Sequence, residues 1–394
     1  MRKTVVVSAK RTPIGNFGGV FKDYSAVKLG VAVLKAILEE TGVKSDQLDE
    51  VILGNVCGCG YGQNVARQVA IYSDVPNHIP AYTVNKVCGS GMKAVTLGAL
   101  MISAGEADII VAGGIENMSQ IPFASMDTRW GGKMGNKELV DLMIRDGLSD
   151  IFNNCHMGIT AENVAERFNV GREEQDRIGY RSQQLAKKAI DAGLFKEEIV
   201  PVEIKTKKGV TVFDTDEHPR PDSTLEAMAK LPGAFKKDGT VTAGNASGIN
   251  DAGACLVLAS REWAEKNGKK ILATVVAHAA AGLDPAIMGM GPYYATKKVL
   301  EKTGMKIEDM DVIEANEAFA SQCGAVANEL PGFELEKINL RGGAIALGHP
   351  IGASGARIVT TLLYQMLQEE KDLGLATMCI GGGQGTAIIL RREK

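Results

Sequence analysis

The sequence contains an internal duplication, which limits the folds open to the chain. Residues 38–53 read LEETGVKSDQLDEVIL and residues 300–314 read LEKTGMKIEDMDVIE. Each copy is typical of a helix that ends at a glycine, followed by a turn and a strand. The segment GSGMKAV at 89–95 is similarly repeated as ASGARIV at 353–359. A repeat of this length predicts two similar α/β halves rather than a short-period solenoid.

The first copy is longer than the second. In the second copy, a predicted strand at 376–383 leads through a glycine-rich turn directly to a last strand at 386–390. In the first copy the equivalent last strand is predicted at 254–258, far beyond Gly114. Because loop tips tolerate insertions, we predict three units: a first half of 1–118 plus 249–270, an inserted loop domain of 119–248, and a second half of 271–394.

Cys88 precedes a Gly-Ser-Gly turn between a predicted strand at 81–87 and a predicted helix at 92–104. The N-terminus of a helix favours an anion, so we expect a lowered pKa of the Cys88 thiol, as a nucleophile needs. Glycines on both sides of Ser90 support this interpretation because they allow another molecule to approach the backbone. The alternative is a buried structural thiol, the usual role of an isolated cysteine.

Three turns of the second half also carry reactive side chains. Asn316 follows a predicted strand and begins an Asn-Glu-Ala-Phe turn. His349 lies in a glycine-rich turn just before a predicted helix, and Cys379 lies at the end of a predicted strand that leads into a glycine-rich turn. If the halves pack as related domains, these strand ends face Cys88, and ligands bind at such strand ends. Taken singly, His349 could be a helix cap and Cys379 a small core residue.

Composition narrows the partners and the compartment. A formal net charge of -3 gives no indication of a nucleic acid or anionic membrane as partner, although residues 205–208 form a basic run that we expect to be a solvated face. Seven cysteines suit free thiols in a reducing cytosol rather than a disulfide scaffold. The N-terminus is typical of a strand, and we expect no apolar stretch long enough to span a membrane. We therefore predict a cytoplasmic protein.

Two other functions fit parts of the sequence. Residues 89–94 match the G-x-G-x-x-A dinucleotide fingerprint, and Glu116 lies near the spacing of a ribose-binding carboxylate, as in an NAD-dependent dehydrogenase. Cys57, Cys59 and the pair Cys155-His156 could instead form a zinc-binding structural module, although their spacing is unusual for one.

Four motifs resemble the active-site motifs of the thiolase family. They are NKVCGSG at 85–91, NEAF at 316–319, GHPIG at 348–352 and CIGGG at 379–383. The resemblance covers essentially the whole chain and is strongest to short-chain acetyl-CoA acetyltransferases of the bacterial biosynthetic type. It implies a thiolase fold, in which two duplicated βα halves form a five-layered α/β/α/β/α sandwich with an inserted loop domain. It also implies a homotetramer, a dimer of dimers.

The resemblance also implies roles for five residues. Cys88 would take the acetyl group from acetyl-CoA with His349 as its base, and Cys379 would deprotonate a second acetyl-CoA for condensation to acetoacetyl-CoA plus CoA. Thiolysis is the reverse reaction. Backbone N–H groups of Cys88 and Gly381 would form one oxyanion hole, and His349 with a water held by Asn316 the other. No metal and no cofactor is implied, since the coenzyme A thioesters are substrates.

The resemblance places coenzyme A mainly on the inserted domain. The matching positions are His156, Met157, Arg220, Leu231, Phe235, Ala243 and Ser247, with Ala318 and Phe319 beside the pantetheine and Met288 at the acyl end. Arg220 is expected to contact the adenine or a phosphate. Where the family usually has a second proline after Pro292, this chain has Tyr293-Tyr294-Ala295. A 3-ketoacyl-CoA thiolase of broader chain length is therefore the alternative.

Overall fold

The computed structural model describes residues 2–206 and 209–394. Lys207 and Lys208 of the predicted solvated basic run lie outside the described residues. The strands are β1 (Thr4–Arg11), β2 (Gly15–Asn16), β3 (Glu50–Gly54), β4 (Ala81–Val84), β5 (Ile109–Asn117), β6 (Phe123–Ala124), β7 (Val140–Asp141), β8 (Ser149–Asp150), β9 (Cys155–His156), β10 (Val202–Thr206), β11 (Gly209–Phe213), β12 (Asn250–Ser260), β13 (Ala273–Gly282), β14 (Val312–Ala315), β15 (Leu373–Ile380) and β16 (Gln384–Arg392). The helices are α1 (Ala26–Thr41), α2 (Val65–Tyr72), α3 (Ser90–Ala104), α4 (Met157–Arg167), α5 (Arg172–Asp191), α6 (Leu225–Ala229), α7 (Arg261–Lys266), α8 (Gly291–Thr303), α9 (Ala320–Glu329), α10 (Ala344–Leu347) and α11 (Ile351–Gln368).

The strand order repeats between the halves. Ten of the described strands form one sheet in the order β14-β15-β16-β13-β1-β12-β5-β3-β4, with β2 beside β12. The first half contributes β4-β3-β5-β12-β1, and the second contributes β14-β15-β16-β13 in the matching order. In the second half, an isolated parallel bridge joins Ile338 to Ile313 of β14. It occupies the position that the parallel pairing of β4 with β3 occupies in the first half. The predicted duplication is therefore present in the topology.

The half-sheets meet along β1 and β13, paired only at Val5–Thr274 and Val6–Ala273. Helices α3 and α11 pack against each other between the half-sheets and share a core drawn from both halves. Helices α1 and α2 cover the outer face of the first half, whereas α8 and α9 cover that of the second. These layers form the predicted α/β/α/β/α sandwich, so this prediction is confirmed.

The central helices are apolar because they lie between two sheets. Every residue of α11 from Ile351 to Met366 is buried, as a helix covered on all sides requires. Residues 87–104 form a stretch long and apolar enough to cross a membrane, with mean hydropathy 1.4, contrary to the expectation that no such stretch exists. More than half of that stretch is buried inside the protein. It is the core helix α3 and the turn before it.

The predicted insertion contributes its own small sheets. Among the described residues, its strands pair only as β6–β7, β8–β9 and β10–β11 and do not join the large sheet. Helices α4 and α5 pack on α9 of the second half, and α5 also packs on α10. These helices therefore cover the region where the strands of the second half end. The exact boundaries of the three units stay a prediction.

Candidate active site

Cys88 lies on a strained turn. Strand β4 ends at Val84, three residues before the predicted end, and Val87 has a φ of 47°. Positive φ is unfavourable for a β-branched residue and is found mainly where function requires it. The turn is fixed by side chains, because Val87 N–H donates to Asn85 Oδ1 at 2.9 Å and Lys86 N–H donates to Ser90 Oγ at 2.8 Å.

The glycines around Ser90 pack closely against other parts of the protein. A Cβ on Gly89 would lie 2.4 Å from Ile380 Cδ1, and one on Gly91 would lie 2.9 Å from the Ala356 backbone nitrogen of α11. These glycines therefore serve close packing inside the protein, and the expectation that they also admit another molecule stays a prediction. They allow α3, α11 and the end of β15 to approach closely.

His349 is oriented by the start of α11. Its Nδ1 lies 2.6 Å from Ser354 Oγ, and that hydroxyl donates to Pro350 O at 2.9 Å. Because Ser354 Oγ donates to the carbonyl, it accepts from Nδ1–H and leaves Nε2 with a free lone pair. Nε2 has no hydrogen-bond partner within the described protein. Burial, with a smaller effect of Arg357, lowers the pKa of His349 to about 3, so the imidazole is neutral.

The predicted reactive groups converge on one cavity of about 570 Å³. Cys88, His349, Cys379 and Gly381 all line it, although they come from both halves of the duplication. Asn316 does not reach the wall. Its amide is fully buried, and neither polar atom has a hydrogen-bond partner within the described residues. Such a buried amide commonly binds ordered water.

The charge state of Cys88 differs from the prediction. Burial raises the pKa of its thiol to about 11, while the N–H groups of Gly381 and Cys88 itself oppose the rise by hydrogen-bonding to the sulfur. The predicted lowering of the pKa is therefore wrong for the resting protein, because removal of the thiolate from water outweighs the helix N-terminus. The two N–H groups thus lie next to the reacting sulfur, and the oxyanion hole that they would form stays a prediction.

Cys379 is a neutral thiol in an apolar part of the cavity. It is 1% exposed and belongs to an apolar cluster with Met157, Met288 and Phe319. Its Sγ lies 3.8 Å from Gln322 Oε1, to which it donates. Burial, and secondarily the nearby Cys88, raises the pKa of Cys379 above its usual range.

Nine of the ten residues predicted to bind coenzyme A line the same cavity. They are His156, Met157, Arg220, Phe235, Ala243, Ser247, Met288, Ala318 and Phe319. Leu231 does not line it and lies behind Gly244 instead. The ring of His156 stacks on Phe235 with centroids 4.6 Å apart, and Phe235 meets Phe319 edge to face. The cavity thus combines aromatic walls with an exposed arginine at position 220.

Several lining residues were not predicted. They are Asn16, Phe17, Met118, Ile144, Gly147, Leu148, His218, Ala234, Thr242, Ala246, Gly248, Ile249 and Ile351. Among them, only His218 could have been inferred from the sequence, because it precedes the predicted ligand-binding residue Arg220 by two positions in a turn-rich segment. Its Nδ1 lies 2.5 Å from Asn16 Oδ1, and burial lowers its pKa to about 4. Ser354, the partner of His349, also escaped prediction because it lies inside a repeated helix start.

The two alternative functions lack structural support. Glu116 is fully buried and accepts N–H bonds from Val56, Cys57 and Gly352, so it is not placed to bind a ribose. For the zinc module, no group of three or more metal-ligating side chains occurs among the residues that the structure describes. Neither a dinucleotide site nor a zinc site is therefore favoured.

Comparisons with known proteins agree with this geometry. The family described as thiolase, N-terminal domain, matches residues 4–262, and the family described as thiolase, C-terminal domain, matches residues 269–392. The acetyl-CoA acetyltransferase of Syntrophomonas wolfei is 56% identical over 99% of both chains, and that of Pseudomonas aeruginosa is 52% identical over 100% of both.

Two solved structures extend the comparison to the fold. The crystal structure of the Bacillus anthracis acetyl-CoA acetyltransferase has a TM-score of 0.97 and 43% identity, and that of human mitochondrial 3-ketoacyl-CoA thiolase has 0.96 and 42%. Each comparison covers 100% of this chain and 99% of the other. With both domain families, the relatives and the convergent site in agreement, this chain belongs to the thiolase family.

Proposed function

We propose that this protein is an acetyl-CoA C-acetyltransferase that condenses two acetyl-CoA molecules to acetoacetyl-CoA and CoA, and catalyses the reverse thiolysis. The observation that carries the proposal is the convergence of Cys88, His349, Cys379 and Gly381 on one cavity. The names of its full-length relatives support the substrate class. An acyltransferase of this type needs one nucleophile, one base for it, and a second acid–base group.

The first half-reaction acetylates Cys88. His349 Nε2 takes the thiol proton, and the sulfur attacks the thioester carbonyl carbon while the N–H groups of Cys88 and Gly381 stabilise the oxyanion. Cleavage of the carbon–sulfur bond releases the CoA thiolate. Cys379, whose thiol is protonated at rest because burial raises its pKa, gives this thiolate its proton and so becomes the thiolate that the second half-reaction needs. His349 keeps the proton from Cys88.

The second half-reaction forms the carbon–carbon bond. The Cys379 thiolate takes an α-proton from a second acetyl-CoA, and the resulting enolate is stabilised by His349 and by the water that we assign to Asn316. The enolate carbon attacks the acetyl group on Cys88. The Cys88 thiolate leaves and recovers its proton from His349, so all three groups return to their starting states.

The cavity favours a short acyl group. Met157, Met288 and Phe319 crowd Cys379 in a single apolar cluster. Tyr293 and Tyr294 of the unusual sequence after Pro292 lie on α8 and do not line the cavity. The alternative of a broader-chain 3-ketoacyl-CoA thiolase is not favoured, because the full-length relatives at 56% and 52% identity are named acetyl-CoA acetyltransferase. Turnover of acetoacetyl-CoA against longer 3-ketoacyl-CoA thioesters separates the two candidates.

Two cysteine substitutions test the division of roles. We expect Cys88→Ala to abolish formation of the acetyl-enzyme, because no nucleophile remains. We expect Cys379→Ser to be acetylated from acetyl-CoA but to lose condensation by about a thousandfold or more, because the second acid–base group is weakened. Mass spectrometry of the protein and acetoacetyl-CoA absorbance measure the two steps. Equal loss of both steps in Cys379→Ser would contradict these roles.

We also propose a cytoplasmic homotetramer that requires no cofactor, metal, nucleic acid or membrane. All seven cysteines are free thiols, which supports a reducing compartment. Strand β4 is an edge strand of the sheet with half-exposed residues, a feature that suits pairing with a second copy.

A further inference from the structure

A group of buried polar atoms without protein partners lies on β14 and α11, the elements next to Asn316 and His349. Among the described residues, both carboxylate oxygens of Glu314, all three guanidinium nitrogens of Arg357 and both amide atoms of Asn316 lack a hydrogen bond. Glu314 and Arg357 are each 1% exposed at the side chain, and Arg357 Nη1 lies 3.7 Å from Glu314 Oε2. That distance is an ion pair but too long for a direct hydrogen bond.

The positions of these residues connect them to the reacting groups. Glu314 and Asn316 are two residues apart along the β14 segment and therefore point to the same side. On α11, Arg357 follows Ser354 by three residues, so it lies on the helix face that holds His349 through Ser354. Helix α11 packs directly on β14.

A second buried arginine shows what a purely structural ion pair looks like in this protein. Arg11 is also fully buried, but its Nε donates to Glu198 at 2.5 Å and its Nη1 donates to Asp216 at 2.7 Å. Its Nη2 donates to Asp216 as well, at 3.0 Å. Arg11 is thus saturated by protein groups, whereas Arg357 is not.

A buried guanidinium and a buried carboxyl group without protein partners require other hydrogen-bonding partners. Buried ions are tolerated when hydrogen bonds satisfy the donors and acceptors that the ion pair leaves over. Water supplies such partners in polar interior sites, typically with about three hydrogen bonds to the surrounding groups. Burial raises the pKa of Glu314 to about 8, with Arg357 opposing the rise, which accords with a carboxyl group held in such surroundings.

We propose that Glu314 and Arg357 are positioning residues that hold ordered water behind Asn316. This water fixes the Asn316 amide, and the amide in turn holds the water that faces the enolate. The inference rests on the proposed function, because it assigns the pair to the condensation half-reaction. Acetylation of Cys88 uses the N–H groups of Cys88 and Gly381 instead of the Asn316 water, and the pair affects it only through the smaller effect of Arg357 on the pKa of His349.

Two double variants separate hydrogen bonding from charge. Glu314→Leu with Arg357→Met removes both charges and all polar atoms, whereas Glu314→Gln with Arg357→Gln removes the charges but keeps groups that bind water. Replacing both members together avoids an uncompensated buried charge. Thr4→Val, which removes the buried hydrogen bond to Ala99 O far from the site, is the control for a general loss of stability.

For the Leu/Met variant we expect condensation to fall at least about tenfold while acetylation of Cys88 stays within about twofold of the unmodified protein, because only the enolate loses a stabilising contact. For the Gln/Gln variant we expect condensation within about threefold, since water-binding groups remain. Thr4→Val should leave the ratio of the two rates unchanged. Equal condensation in the two double variants, or equal loss of both steps, would overturn the inference.

A high-resolution crystal structure of the unmodified protein tests the same inference without a folding risk. We expect water within hydrogen-bond distance of Arg357, Glu314 and Asn316. Direct hydrogen bonds among these side chains without water would overturn it. Failure of the proposed function has a different signature: the unmodified protein would then not acetylate Cys88 from acetyl-CoA at all.

Discussion

At the residue scale, Cys88 and His349 both rest in their neutral forms. Burial raises the pKa of the thiol to about 11 and lowers the pKa of the imidazole to about 3. The pair therefore differs from a preformed thiolate–imidazolium pair. Proton transfer between them accompanies substrate attack, when the oxyanion hole and the thioester can stabilise the new charges.

Alkylation of Cys88 by iodoacetamide tests this charge state. We expect its rate to rise about tenfold per pH unit between about pH 7 and about pH 10, because the thiolate fraction of a group with a pKa of about 11 grows in that proportion. Peptide mapping by mass spectrometry measures modification at Cys88. A cysteine in a short peptide, the control, levels off above its ordinary pKa of about 8.5. Fast alkylation of Cys88 near pH 6 would instead indicate a thiolate–imidazolium pair.

At the scale of elements, the contact between α3 and α11 brings the two halves of the site together. The repeated Ser-Gly segments at the starts of both helices are in backbone contact. A Cβ on Gly355 would lie 2.3 Å from Met92 N, just as one on Gly91 would meet α11. The duplication thus places Cys88 and His349 at the starts of two helices that cross closely through their glycines.

Gly355→Ala tests the importance of this contact. We expect a loss of about 1–3 kcal/mol in the free energy of unfolding, because the added methyl group forces the helices apart. We also expect slower acetylation of Cys88, since Cys88 and His349 move with the two helix starts. Thermal unfolding and single-turnover acetylation measure the two effects.

Gly132→Ala provides the control for that substitution. Its added Cβ would meet only Lys137 Cε, at the ordinary distance of 3.6 Å. We expect neither stability nor acetylation to change in this variant. If Gly355→Ala behaved in the same way, the close approach of the two helices would not be needed.

At the scale of the whole molecule, apolar side chains project from the segment between β6 and β7. Trp130 is 93% exposed and Met134 is fully exposed, and Leu139 nearby is also largely exposed. Large exposed apolar side chains in one segment commonly mark a surface that another chain covers. This segment supports the proposed assembly of several copies.

Charged substitutions on this segment test the assembly. We expect Trp130→Asp combined with Met134→Asp to convert the proposed tetramer into a smaller species, because burying two carboxylates in an apolar contact is unfavourable. Sedimentation velocity measures the change, and the acetylation rate of Cys88 should stay within about twofold. Lys133→Glu controls for added negative charge on the same segment. Unchanged sedimentation of the double variant would exclude this segment as a subunit contact.

The sequence by itself determined the duplication, the helix–turn–strand order of the repeated segments, and the four turns with reactive residues. It could do so because these depend on local patterns: glycine at helix ends, apolar periodicity and side chains of distinct chemistry next to turns. The helix ends at Gly42 and Gly304 were found correctly for this reason. The nine cavity-lining residues that we predict to bind coenzyme A came from the resemblance to a family rather than from local patterns.

Only the tertiary structure decided the charge of Cys88, the packing roles of the glycines beside it and the side chains that surround Asn316. The pKa of a thiol depends on how much water the surrounding chain removes, and segments far apart in sequence remove it. Gly91 meets Ala356 of the other half, and Glu314 meets Arg357 across two elements. Such contacts between distant segments leave no periodic signal in the sequence, because each depends on where a separate part of the chain packs.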